Sequence, residues 1–202
     1  MTGLRLFLAG RGVDRRWLAT LLTVVVVAAA LTWMRAGVWI SAAMIQDDET
    51  QLATSLAVLV VSGLCALPMR ADVPWREHLA RRPLRRERAL LVLGMWGVLV
   101  WPLVSLSELG LQHVAVGLGL FGCSCLVAPL RAVPLALPQV IVLLLGLVPE
   151  LVSPSWHPFM PAQRSALCSW VCLGVAAAGA VVGVASASAP HRLRSAPRTR
   201  LS

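Results

Sequence analysis

The sequence predicts an all-α integral membrane protein, a bundle of six transmembrane helices with both termini cytoplasmic. Three observations carry this. Of 202 residues, 58% are hydrophobic and 13% charged, against about 25% charged in an ordinary soluble domain. Six apolar runs of about 18–20 residues have the length that a bilayer requires, and such runs must be helical because lipid cannot satisfy exposed backbone groups. Finally, sixteen of the eighteen arginines fall in the N-terminal tail, the alternate connections and the C-terminal tail. By the positive-inside rule those segments face the cytoplasm.

Taken in order, residues 1–16 carry Arg5, Arg11, Arg15 and Arg16 among Leu4, Leu6, Phe7 and Leu8. This pattern fits either an interfacial amphipathic segment, weakened by Gly10 and Gly12, or a frayed tail. The first span, 17–34, follows "DRRWLAT"; it is long for a signal h-region and five more spans follow, so it is expected to be retained. Asp47, Asp48 and Glu49 precede the second span, 52–69, where an acid favours a helix N-terminus. The loop 70–88 holds seven arginines and leads into the third span, 89–107, in which Trp96 and Trp101 are expected to pack.

The fourth span, 111–130, turns tightly through Arg131 into the fifth, 133–152. Pro134 and Pro138 suit the first turn of that helix, and Pro149 suits a kink or early stop. The sixth span, 166–185, leads to a basic tail, 186–202, with Arg192, Arg194, Arg198 and Arg200. The opposite side holds only Arg35 and Arg164, together with Asp47, Asp48, Glu49, Glu108 and Glu150. The chain has no Lys, Asn or Tyr, the mark of GC-rich bacterial coding, so its all-arginine usage is not in itself a sign of phosphate recognition. The expected location is the bacterial cytoplasmic membrane.

The spans contain almost no ionisable side chains. Ion-coupled transport, proton relays and intramembrane aspartyl proteolysis need such groups at membrane depth, and no catalytic residue is assigned. "GCSC" (122–125) invites comparison with rhomboid proteases, but the sixth span has no histidine and a serine without a base is not activated. "GLGLFG" (117–122) matches a dinucleotide-binding string without the strand–helix context that gives it meaning. Gly117 and its neighbours are instead expected to allow close helix packing, as are Gly179 and Gly183 in "GAVVG". Cys65, Cys123, Cys125, Cys168 and Cys172 form no C-x-x-C, and small-hydrophobe packing is their expected role. No cofactor or metal is expected, and the four histidines are not placed to pair around a haem.

The basic loop divides in two. Asp72 and Pro74 suit a helix start; Trp75 and Leu79 then share a face, and Glu77 can pair with Arg81. "RRPLRRER" (81–88) is a topological anchor that also meets anionic lipid headgroups. Nucleic acid is excluded for want of interleaved aromatics and a fold to present them.

The order Asp72, Glu77, Leu79, Pro83, Arg85 and Arg86, within six spans in about 200 residues, resembles an ABC-2 type permease subunit. Small haem-exporter-type and drug- or bacteriocin-export permeases are similar in plan. The Gly-Thr common after the glutamate in such subunits is absent here. The resemblance implies a permease of an ABC-type exporter, a homodimer or heterodimer that moves a large or amphipathic substrate. ATP would be hydrolysed by a separate cytoplasmic ATPase subunit that contacts Trp75, Glu77, His78, Leu79 and Arg81. The alternative, of another class, is a non-transporting accessory or immunity-type membrane protein acting by helix–helix contact.

Overall fold

The computed structural model describes residues 8, 11, 13–33, 49–70, 85–106, 110–130, 132–147 and 165–185. The segment Trp75–Arg81 and Pro149 lie outside the described residues. The described residues contain six α-helices: α1 (Arg15–Trp33), α2 (Glu49–Ala66), α3 (Arg85–Leu106), α4 (Gly110–Val127), α5 (Leu137–Leu147) and α6 (Ala166–Ala185). There is no strand among the described residues. The architecture is all-α.

Local chemistry accounts for most of the helix ends. Asp14 caps α1, its Oδ1 accepting the Trp17 backbone N–H at 2.8 Å. Helix α2 tightens into a 3₁₀ turn at Leu67–Met69, because Pro68 cannot donate into the α-helical ladder. Helix α5 begins at Leu137, four residues later than the span predicted from position 133. Residues 128–130 and 132–136 lie in turns and irregular backbone instead, and only Pro138 sits in the first helical turn. Pro134 serves the turn before it, its carbonyl accepting the Leu137 N–H at 3.1 Å.

Helices α2, α3 and α4 supply most of the interior. Val58, Val61 and Cys65 of α2 meet Leu91, Met95 and Leu99 of α3 and Leu118, Phe121 and Cys125 of α4. Phe121 and Leu99 are fully buried. Helix α1 closes one side through Leu21; α5 covers the Leu59–Leu120 pair through Val142 and Leu143.

The most extensive contact is between α4 and α6. They run parallel, since Gly119 lies against Cys172, Gly122 against Val175, Ala176 and Gly179, and Cys125 against Gly183. A methyl group on Gly122 would sit 2.6 Å from both Ala176 Cα and the Val175 carbonyl oxygen, and one on Gly179 would strike the Gly122 backbone. Both positions therefore exclude any side chain, whereas Gly183 is in ordinary contact at 3.8 Å. Gly117 is buried on α4.

Among the described residues, one helix, Ala166–Ala185, is long and apolar enough by itself to cross a membrane; shorter apolar stretches occupy Ser55–Met69, Leu111–Val127 and Leu137–Gly146.

Gly122→Val or Gly179→Leu should destabilise the fold by about 1–3 kcal/mol or more, the usual cost of overpacking. Gly174→Ala, where nothing lies within 4 Å, should be neutral or stabilise by up to about 1 kcal/mol. Thermal denaturation of the three purified variants distinguishes these outcomes.

Candidate functional site

Every charged residue described lies at a helix end, and all but Glu49 lie at the same end of the bundle. That end is also where α2, α4 and α6 terminate. The last turn of a helix leaves carbonyls without N–H donors and carries a partial negative charge. Three arginines supply the missing donors.

Arg11, only 4% exposed, donates from Nη1 to the Pro68 and Met69 carbonyls at 2.8 and 2.9 Å. A turn in which Leu8 O accepts both the Arg11 and Val13 N–H groups brings it there, with Leu8 packed against the core. Arg70 Nη2 donates to Leu130 at 3.0 Å and to Val133 at 2.7 Å, closing the α4–α5 turn. Arg88, in the first turn of α3, donates from Nη1 to Gly183 O at 3.2 Å and ties α3 to the end of α6.

Trp17 completes the set by a related logic. Pro68 has no N–H to offer the Leu64 carbonyl four residues back, and the Trp17 indole N–H donates there instead at 3.2 Å. Leu130, beyond the end of α4, offers a carbonyl that takes both the Val133 N–H and Arg70, each at 3.0 Å. At Leu64 the proline thus leaves an acceptor that a distant donor fills.

A buried polar layer lies just inside this end. Ser124 is fully buried and Gln139 is 7% exposed. Gln139 Nε2 donates to Ser124 Oγ at 3.1 Å, and that hydroxyl is within reach of the Leu135 carbonyl at 3.0 Å and the Leu120 carbonyl at 3.1 Å. Gly63 of α2 faces the Gln139 side chain. The layer binds the last turn of α4 to the first turn of α5. Its hydrogen bonds are to carbonyls and an amide, with no base beside Ser124, so it holds a turn and does not activate a nucleophile.

Among the described residues, no three His, Cys, Asp or Glu side chains converge to hold a metal ion. The five cysteines are free thiols. Cys125 is part of the core, and Cys172 packs on Gly119 at the α4–α6 contact, roles suited to a small, polarisable side chain. His113 is buried in the first turn of α4. Trp96 is half-buried, but Trp101 is 78% exposed, contrary to the packing role expected of it. Leu99, two residues earlier, is fully buried in the core, so Trp101 falls on another side of α3 that faces away from it.

Of the residues expected to contact a partner, Trp75, Glu77, His78, Leu79 and Arg81 lie outside the described residues. The capping roles of Arg11, Arg70 and Arg88 were missed from sequence. Their acceptors lie in the last turns of α2 and α6 or in the α4–α5 connection, and nothing in the sequence marks which arginine reaches which carbonyl.

Comparison with known proteins finds no match: no family model, no curated protein and no solved structure is similar to the chain.

Two measurements test this end of the bundle. Arg11→Ala should cost about 1.5–3 kcal/mol, as expected for hydrogen bonds from a charged donor, and should speed amide exchange around residues 64–70. Ser124→Ala should cost about 1–3 kcal/mol because the Gln139 amide loses its buried acceptor. Ser124→Ala with Gln139→Leu should cost less than the two single changes added together, since neither partner is then left unsatisfied.

Proposed function

We propose that the chain is a multi-span protein of the bacterial cytoplasmic membrane and the membrane-spanning subunit of an ABC-type exporter. The observation that carries the membrane reading is α6. This helix has mean hydropathy 2.1 over 18 residues, yet only 17% of that window is buried within the bundle. A core helix of a water-soluble protein would be mostly buried, and an exposed one would carry a polar face.

The outer surfaces of the other helices support the same reading. Leu18, Leu22 and Val26 on α1, Leu90 and Leu93 on α3, and Ile141 and Leu144 on α5 are all largely exposed. Soluble monomers rarely expose contiguous apolar patches above a few hundred Å²; hydrocarbon makes such a surface favourable. Thr20, exposed on α1, turns its hydroxyl back to the Arg16 carbonyl at 2.9 Å, which satisfies it without water. The arginine-bearing end is then cytoplasmic. The described part of α5 has 11 residues, which reach about 16 Å from that end into a hydrocarbon layer about 30 Å thick.

The exporter reading rests on the permease-like plan and on the order Asp72, Glu77, Leu79, Pro83 between the second and third helices. The lack of ionisable groups away from the helix ends among the described residues favours a large or amphipathic substrate over an ion-coupled one. Energy then comes from a cytoplasmic ATPase docked on Trp75, Glu77, His78, Leu79 and Arg81. The close contact at Gly179 is made inside this chain, with Gly122, and so offers nothing to a helix-contact partner.

The protein should stay in the membrane pellet through alkaline carbonate extraction, and green fluorescent protein fused after Ser202 should fluoresce while an alkaline phosphatase fusion there stays inactive. Glu77→Arg with Leu79→Asp should abolish co-purification of an ATPase subunit without altering insertion. Equal recovery of the same partner by the altered and unaltered proteins would refute the coupling role.

A further inference from the structure

Two long grooves flank α3, and they differ in one respect. The groove between α1 and α3, about 570 Å³, runs past Leu22, Val25, Gly97 and Trp101 and has no charged lining. The groove between α3 and α6, about 560 Å³, is walled by Val92, Leu93 and Trp96 on one side and Val181 and Val184 on the other, with Arg85 at one end. Its walls are otherwise wholly apolar.

Resting on the membrane reading above, we propose that the α3–α6 groove is a binding site for one anionic phospholipid of the cytoplasmic leaflet. The headgroup phosphate pairs with Arg85 and an acyl chain lies between the helices. Three features of the groove fit this occupant.

The first is length. Arg85 and Trp96 are eleven residues apart on one helix, about 16 Å along its axis, close to half of a hydrocarbon core about 30 Å thick. The groove therefore spans one leaflet, with its charge at the headgroup level. The second is charge. The first turn of α3 carries Arg85, Arg86 and Arg88 against the single acid Glu87, and the partial positive charge of a helix N-terminus adds to them. A zwitterionic headgroup gains less there than an anionic one. The third is rigidity. Arg88 holds Gly183 O at 3.2 Å, and Gly183 in turn lies against Val92 and Cys125. The walls meet at the headgroup end as a preformed slot, so little ordering opposes binding.

Native mass spectrometry of the detergent-purified full chain tests this, with phosphatidylglycerol or phosphatidylcholine of matched acyl chains added in turn. The unaltered protein should retain one phosphatidylglycerol in preference to phosphatidylcholine. Arg85→Ala should lower that retention about fivefold, the effect of one arginine near a charged surface, and Arg85→Lys should restore most of it. Arg86→Ala, outside the groove lining, should change it much less. Val181→Trp, made at a position 68% exposed, should fill the groove and lower retention of both lipids without lowering the melting temperature. Retention insensitive to headgroup, equal effects of Arg85→Ala and Arg86→Ala, or a dimer that carries no phospholipid would each overturn the proposal. Carbonate extraction separates its failure from that of the membrane reading. Protein that stays in the pellet but shows no preference sinks the lipid site alone; protein that is extracted sinks both.

Discussion

The structure depends on two parallel helices meeting where neither has a Cβ atom. Gly122 on α4 and Gly179 on α6 bring their backbones into direct contact, with Gly119 against Cys172 one turn away. In water or in lipid, such an approach gains dispersion contacts along the whole pair and loses little side-chain entropy, because glycine has none to lose. The contact also sets the rotation of α6 about its own axis. With Ala176 and Gly179 facing α4, Leu167, Trp170, Val171 and Val181 must face outward, and they do. The apolar outer surface of α6 thus follows from which face the small residues occupy.

The arginine-rich end obeys a second constraint, that buried or lipid-facing carbonyls must find donors. Helices α2, α4 and α6 end there, and Pro68 removes an N–H group from the end of α2. Guanidinium groups suit the vacancy because their donors form a fixed fork: one Arg11 nitrogen serves two carbonyls, and one Arg70 nitrogen does the same. The arginines that gather at this end therefore also bind the helices to one another. Ser124 and Gln139 extend this stitching inward, joining α4 to α5 through an amide–hydroxyl contact backed by the Leu120 and Leu135 carbonyls.

Function enters through what the fold leaves out and what it leaves open. Among the described residues charge lies at the helix ends, and the interior is apolar apart from a few buried polar side chains such as Ser62, His113 and the Ser124–Gln139 pair, which suits the proposed scaffold whose energy is supplied by another subunit. The open features are the grooves beside α3. They exist because α3 touches α1 and α6 less extensively than α4 touches α6, and on the proposed membrane reading they are surfaces that an amphipathic molecule can occupy.

The helical character and the places of six apolar helices were legible in the sequence, because apolar runs are a property of the chain read in order; of the six expected spans, Ala166–Ala185 alone among the described residues is long and apolar enough to cross a membrane. "GAVVG" was legible as a close-packing element, but not its partner, since Gly122 lies 57 positions away and either this chain or a second copy would have satisfied the pattern. Arg11, Arg70 and Arg88 looked like anchors and lipid contacts. Their acceptors lie 57 to 95 positions away, and a carbonyl has no sequence signature. Trp101 looked buried because its neighbours are apolar, yet an apolar neighbourhood in sequence does not say which side of the helix meets protein. Sequence alone determined that this chain forms apolar helices with their charge at the ends. Only the tertiary structure decided which helix faces meet and which carbonyls the arginines cap, because those outcomes depend on backbone approach and rotation about each helix axis, which the order of residues does not record.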